Sequence, residues 1–214
     1  MTEPHAAVSW ARPGDAAAVA DRIGRELAGP GRKGGGAKRI AVPGGSTPLR
    51  VFDLLAVRAF DWSGATLVLT DDRQVPRSHP ASNFGRLAAA LGNSGCRIAP
   101  LTEGEPVEPF DLVWLGMGAD GHVASLFPRM AVSGDGEEAR VIATVPDPLP
   151  PEAPFPRLSL NLPALTRAEE IILVVTGEDK RGLLERVLAG SSADLPVARL
   201  VRAATCPLTI YWSP

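Results

Sequence analysis

Residues 115–128 read LGMGADGHVASLFP and follow directly on the apolar run at 110–115. That run reads as a buried strand, because a short apolar segment bounded by turn residues fits a strand covered on both faces. Gly116, Gly118 and Gly121 then fall within seven residues together with Asp120 and His122, which marks a site at a strand's end. The spacing predicts that Asp120 caps a short helix through Ser125 and Phe127, ended by Pro128. His122 would stand in its first turn, where free N–H groups make the potential positive and disfavour an imidazolium. A neutral imidazole accepts a proton, so His122 is the candidate general base and Asp120 its orienter. On this segment alone, a glycine-rich turn whose histidine only satisfies backbone groups is an equal alternative.

Working outward, the sequence strand, polar turn, helix recurs. Residues 39–42 read as a strand, followed by PGGSTPLRVFDLL at 43–55. Gly44 and Gly45 let the chain turn and a ligand approach the backbone, Thr47 can cap, and Pro48 suits the first helical position. The N-terminus of that helix is a ready anion site, with the Ser46 and Thr47 hydroxyls as further donors. The glycine-rich run at 29–36 precedes its strand instead and reads as a loop.

A further strand at 66–70 ends in Asp71, Asp72 and Arg73, where Arg73 could hold a carbonyl oxygen or a phosphate, aimed by an acidic neighbour. Ser82 and Asn83 read as the cap and start of a helix to 91, and His79 as an exposed loop residue. Strands are expected at 97–101 and 139–145, with a polar surface segment at 130–138 between the opening motif and the second. PDPLPPEAPFP at 146–156 must be a stiff extended loop. The alternation at 157–161 predicts an edge strand that brings Arg157 near that loop. Residues 170–176 form a buried strand, and 177–180 open a helix to 188. Lys180 there opposes the backbone field unless an anion is bound. Residues 6–10, 15–27, 196–202 and 208–212 read as strand, helix, helix and strand.

Such alternation calls for an α/β fold with a mainly parallel sheet covered by helices on both faces. At 214 residues, 45% hydrophobic and 21% charged, the chain fits one soluble domain. A formal net charge of -2, with no basic tract beyond short pairs such as Arg32-Lys33 and Lys38-Arg39 to track a phosphate backbone, argues against nucleic acid as a partner. Cys96 and Cys206 read as reduced thiols, and none of the three histidines falls at metal-ligand spacing. Two adjacent carboxylates, Asp71 and Asp72, are weak grounds for a metal, so neither metal nor cofactor is expected. Without a signal core or an apolar stretch approaching ~20 residues, the expectation is a cytoplasmic protein away from membranes, monomeric or weakly dimeric.

In order along the chain, GGSTP, DDRQVP with SN downstream, LGMGADGHVASLFP, PRLSL and GEDK resemble the 6-phosphogluconolactonase family. The resemblance spans residues 40–188. It implies a three-layer α/β fold related to the sugar-phosphate isomerases, and hydrolysis of the lactone produced by glucose-6-phosphate dehydrogenase. By resemblance His122 matches the catalytic histidine, Asp120 its partner, Arg73 the arginine after the acidic pair, and Gly44, Gly45, Ser46 and Thr47 the phosphate loop. Asp71, Gly118, Arg157 and Lys180 complete the residues expected to face a sugar-phosphate lactone.

Three positions depart from the family pattern: Asp72 stands for a usual glutamate, and Val123 and Asn161 for frequent threonines. None removes a reacting group. Amino-sugar phosphate deaminases share a similar Gly-x-Asp-Gly-His segment, but usually continue with an Asn-Glu-Pro type of sequence where this chain has Ser125-Leu126-Phe127-Pro128. A non-catalytic sugar-phosphate sensor, and a nucleophilic Ser125 in place of a histidine base, are the remaining alternatives.

Overall fold

Two apolar strands, β2 (Lys38–Val42) and β6 (Leu112–Gly116), pair in parallel near the centre of the computed structural model. The structure describes residues 7–29, 37–58, 60–130, 138–147, 149 and 154–214, with backbone alone at 46 and 47. On one side of β2 lie β3 (Ala65–Leu69) and β5 (Arg97–Ala99). On the far side of β6 lie β9 (Ile171–Thr176), β10 (Leu208–Ser213) and the short β1 (Val8–Trp10). The order is β1-β10-β9-β6-β2-β3-β5, and every pairing is parallel.

Parallel neighbours need crossovers, and helices supply them on both faces. Alternate residues of each strand point to opposite faces, so one stretch feeds two cores. Ile40, Val42, Leu112 and Trp114 pack with α1 (Ala16–Ala28), α2 (Ser46–Ala56) and α3 (Asn83–Leu91). Ala41, Val113 and Leu115 pack on the other face with α4 (Leu162–Thr166), α5 (Glu178–Leu188) and α6 (Pro196–Ala203). The result is the three-layer α/β arrangement expected from the sequence.

Local capping follows the sequence closely at α1 and α3: Asp15 accepts from the Ala18 amide at 2.9 Å, and Ser82 from the Gly85 amide at 3.0 Å. At α2 the expectation is corrected. Its N-cap is Gly45, at φ 99° and with no side-chain cap, so Thr47 lies inside the first turn. A glycine there reaches a backbone conformation closed to most residues and leaves the helix's first N–H groups open.

A second, antiparallel sheet of order β4-β8-β7 combines β4 (Asp71–Arg73), β8 (Arg157–Leu160) and β7 (Val141–Thr144). The strand expected at an edge is therefore the central one. Its alternation misleads because Arg157 and Ser159, polar as they are, are buried at 6% and 0% exposure, on a face that looks towards Asp71 and Ser125 instead of solvent. The expectations for 30–36 and 131–137, and for most of the proline-rich segment, fall outside the described residues.

From β2 the chain proceeds outward to β3 and β5. From β6 it proceeds the other way, to β9 and β10. The reversal between β2 and β6 is where open α/β sheets leave a crevice beyond their carboxyl ends.

Candidate active site

A cavity of ≈ 310 Å³ occupies that crevice. Gly44 and Gly45 reach it from the end of β2, Asp71 and Arg73 from β4, and Gly118 and His122 from the loop after β6. Arg157 on β8 and Lys180 in the first turn of α5 complete the polar wall, over a floor that includes Trp114 and Val174. Segments more than 130 residues apart in sequence are thus brought to one surface. Ser46 and Thr47 open α2 at this place, but their side chains lie outside the described residues.

The loop after β6 is not the short helix that its spacing predicts. Residues 117–126 fold back on themselves through bridges Met117↔Val123 and Val123↔Leu126, with the Gly118 amide donating to the His122 carbonyl at 3.0 Å. Gly121 at φ 83° and Ala124 at φ 50° turn the chain the wrong way for a right-handed helix, while Val123 and Leu126 are drawn into the core. His122 therefore stands in no helical turn, and the argument from one falls.

Asp120 orients the ring directly. Its Oδ1 lies 2.6 Å from Nδ1 of His122 and accepts the His122 amide at 3.2 Å. Burial pushes the Asp120 carboxyl up, but the hydrogen bonds and charge of His122 outweigh it and hold the group below the usual carboxylate range. An ionised carboxylate can only accept, so Nδ1 carries the proton and the lone pair of a neutral ring is on Nε2. The ring lies against Gly118, where a Cβ would stand 2.2 Å from its Nδ1 and Cε1. It also packs on Phe127 with centroids 4.5 Å apart.

Arg73 is held by Asn83, which the sequence places at a helix start and within the SN of the family motif. Its guanidinium donates to Oδ1 of Asn83 at 2.7 Å and to the Ala81 carbonyl at 3.0 Å. The expected aiming by an acidic neighbour does not occur: Asp72 accepts the amides of Arg73, Asn83 and Phe84 and so secures the start of α3. Asn83 in turn donates to the Asp71 carbonyl at 3.1 Å. The available signal was that Ser82 already caps α3, leaving a polar, buried Asn83 with no capping duty.

Arg157 sits beside this group with its guanidinium 5.3 Å from the Phe127 ring centroid. Burial pushes it below its ordinary value; the negative charge of Asp71 opposes that shift and the charge of Arg73 adds to it. Ser125 is turned away: it is fully buried, donates its Oγ to Asp71 at 2.6 Å and receives no place in the cavity wall. A second uncapped helix start adjoins the site, since the N-cap of α5 is Gly177 (φ 95°), with no side-chain cap.

The chain matches the family model described as glucosamine-6-phosphate isomerases/6-phosphogluconolactonase over residues 15–105 and 96–212. The chain belongs to that family. It is 35% identical to the 6-phosphogluconolactonase of Rhizobium meliloti (strain 1021), across 93% of this chain and 94% of that one. A 6-phosphogluconolactonase of Caulobacter vibrioides is also 35% identical, covering 81% of this chain and 82% of the relative. The crystal structure of a 6-phosphogluconolactonase from Shewanella baltica OS155 superposes with a TM-score of 0.77 at 26% identity, over the full length of both chains.

For a member of the glucosamine-6-phosphate isomerase and 6-phosphogluconolactonase family, the cavity combines three chemical capacities. It offers one oriented imidazole, a wall of cationic side chains, and helix N–H groups open to an anion. Among the described residues no group of three His, Cys, Asp or Glu is placed to hold a metal ion. Nor is any described helix long and apolar enough to cross a membrane.

Proposed function

We propose that the protein hydrolyses 6-phospho-D-glucono-1,5-lactone to 6-phospho-D-gluconate, the second step of the oxidative pentose phosphate pathway, with His122 as general base. The reaction class rests on family membership and on relatives that carry the name 6-phosphogluconolactonase across nearly their whole length. The observation that carries the base assignment is the 2.6 Å contact between Asp120 and Nδ1 of a histidine on the cavity wall.

In this reading the phosphate is drawn to the open start of α2, with Lys180 or Arg157 supplying countercharge. The lactone carbonyl then lies towards His122. A water gives its proton to Nε2 as its oxygen bonds the carbonyl carbon, and the developing oxyanion is met by Arg73 or by N–H groups of the glycine loop. As the tetrahedral adduct collapses, the bond to the ring oxygen breaks and that oxygen takes the proton back from Nε2. A lactone is an activated ester, so a positioned base worth about 10²–10⁴ suffices without a covalent intermediate. The burial of Ser125 against Asp71 supports water, not serine, as the nucleophile. A cytoplasmic location, one domain, and a monomeric or weakly dimeric state belong to the same proposal.

The deciding experiment measures acid release from freshly prepared lactone alongside ammonia release from glucosamine 6-phosphate. Acid release by the wild type, lost in His122→Ala, is expected. Ammonia release alone would place the chain on the deaminase side of its family, and tight binding of 6-phosphogluconate with no turnover of either substrate would make it a sensor.

A further inference from the structure

Phe127 follows the folded-back loop that carries His122 and is not part of the cavity wall. Its ring packs on the His122 imidazole, with centroids 4.5 Å apart and planes tilted by 34°. The same ring meets the Arg157 guanidinium, whose Cζ stands 5.3 Å from the ring centroid, and Arg157 is itself buried on β8. An electron-rich aromatic face attracts a cation, so the Phe127 ring is held from β8 while it touches the histidine.

The backbone on either side of Phe127 is fixed as well. The Ser125 amide donates to Oγ of Ser159 at 3.1 Å, and the Ser125 hydroxyl to Asp71 at 2.6 Å. The Leu126 amide donates to the Val123 carbonyl at 3.0 Å, with both side chains in the core, and the Phe127 carbonyl accepts the Met130 amide at 3.4 Å. Pro128 follows, its φ locked by its own ring. Phe127 is therefore a fixed surface against which the imidazole lies, not a side chain that follows it.

Such a surface supplies what the Asp120 bond lacks. That bond runs in the plane of the imidazole and restrains Nδ1, but a ring tethered at Nδ1 can still tilt, and Nε2 then swings away from its target. Contact with a ring face resists the tilt. We infer that Phe127 is a positioning residue for His122: its ring, pinned by Arg157 and by the bonds of Ser125 and Leu126, keeps Nδ1 on Asp120 and Nε2 directed into the cavity. The kinetic consequence rests on the lactonase reading, in which Nε2 takes the proton of water, whereas the geometry does not.

Two substitutions separate the aromatic face from mere bulk. Phe127→Leu keeps an apolar side chain and loses the flat face, while Phe127→Tyr keeps the face; Phe127→Met, also flexible and apolar, takes the place of Phe127→Leu should that variant not fold. Phe127→Leu is expected to lower kcat about tenfold with KM little changed, because a small misplacement of a base is costly, and Phe127→Tyr to stay within about threefold of wild type. The factor should be the same on 6-phospho-D-glucono-1,5-lactone and on unphosphorylated glucono-1,5-lactone, since the carbonyl that His122 serves is common to both.

Wild-type kcat in Phe127→Leu, or equal impairment in Phe127→Tyr, would overturn the inference. So would a loss confined to the phosphorylated lactone and seen as raised KM, which would make the ring a support for Arg157 alone. The second readout is nitrogen-15 NMR of the imidazoles in alkaline buffer, with His122 assigned by the signal missing in His122→Ala. A single tautomer protonated at Nδ1 is expected in the wild type and a mixture of both tautomers in Phe127→Leu; an unchanged pattern in the variant refutes the positioning role. If the wild type proves inactive on the lactone, the proposed function fails and the NMR pattern alone decides this inference.

Discussion

Asn83 lies against Gly44 so closely that a Cβ on the glycine would stand 1.9 Å from the Asn83 Cγ. The contact joins the turn after β2 to the start of α3, and the same amide side chain grips Arg73 and the Asp71 backbone. Gly44→Ala must therefore displace Asn83, and Arg73 with it. The expected outcome is a drop in kcat/KM of at least about tenfold and a stability loss of about 1–3 kcal/mol, read from urea midpoints. Gly44→Ala combined with Asn83→Ala should regain stability but not activity, since room returns while the hold on Arg73 does not. Recovery of both would show that the contact is packing alone.

The Asp120–His122 pair and the buried Ser125 call for opposite phenotypes. Asp120→Asn can turn an amide N–H towards Nδ1 and so hold the ring in the tautomer with its proton on Nε2, leaving nothing to accept from water. A loss of about 10²–10⁴ in kcat is expected with KM nearly unchanged. Ser125→Ala instead removes one donor from the buried Asp71. It should cost about 1–3 kcal/mol of stability while keeping kcat within about tenfold. A Ser125→Ala protein that folds normally yet has lost all turnover, beside an active His122→Ala, would transfer the chemistry to the serine.

Much of this architecture was legible because the strands are buried on both faces. Runs such as those of β2, β3, β6 and β9 carry no polar alternation, and the caps Asp15 and Ser82 announce their helices. The polar strand ends were legible as site candidates for the same reason: Arg73, His122, Arg157 and Lys180 each interrupt or terminate apolar sequence, and all four meet at one cavity. The errors came where local rules competed with long-range contacts. Capping chemistry at Asp120 suggested a helix, but left-handed Gly121 and Ala124 and the pull of Val123 and Leu126 into the core made a folded-back loop. Alternation in β8 suggested an edge, whereas its polar face is covered by Asp71 and Ser125. Asn83 was missed as a site residue because its partners, Gly44, Asp71 and Arg73, come from strand ends that sequence distance does not reveal.

Far from the cavity, Glu26 carries a pH-dependent part of the stability. Its Oε1 lies 2.7 Å from the buried Lys38 Nζ and its Oε2 3.0 Å from Arg22. Burial pushes the carboxyl up, but the hydrogen bonds and charges of Lys38 and Arg22 prevail and its folded-state value is lowered. A carboxylate with a lowered folded-state value contributes in full above its unfolded value, and the contribution is lost as pH falls through the folded value. Glu26→Gln should therefore cost about 1–3 kcal/mol at pH 7, because Lys38 is left buried without its carboxylate. The gap between wild type and variant, followed by urea unfolding, should narrow steadily towards acid. A gap of constant size would mean that Glu26 acts by packing and not by charge.

Lys180 allows the phosphate arm of the proposed mechanism to be tested without disturbing the core. It lines the cavity from the first turn of α5, whose first turn also holds Glu178 and Asp179. An isolated cation at that helix position is disfavoured by the backbone field, and a bound dianion reverses the sign. Lys180→Met should therefore leave the free protein as stable as wild type or slightly more so, while raising KM for the phosphorylated lactone about tenfold. The unphosphorylated glucono-1,5-lactone has no charge for Lys180 to meet, so its kcat/KM should change less than about twofold in the same variant. Raising the salt concentration should weaken wild-type turnover of the phosphorylated substrate and affect Lys180→Met less. Equal losses on both lactones would place Lys180 at the reacting carbonyl instead, and leave Arg157 and the open start of α2 to bind the phosphate.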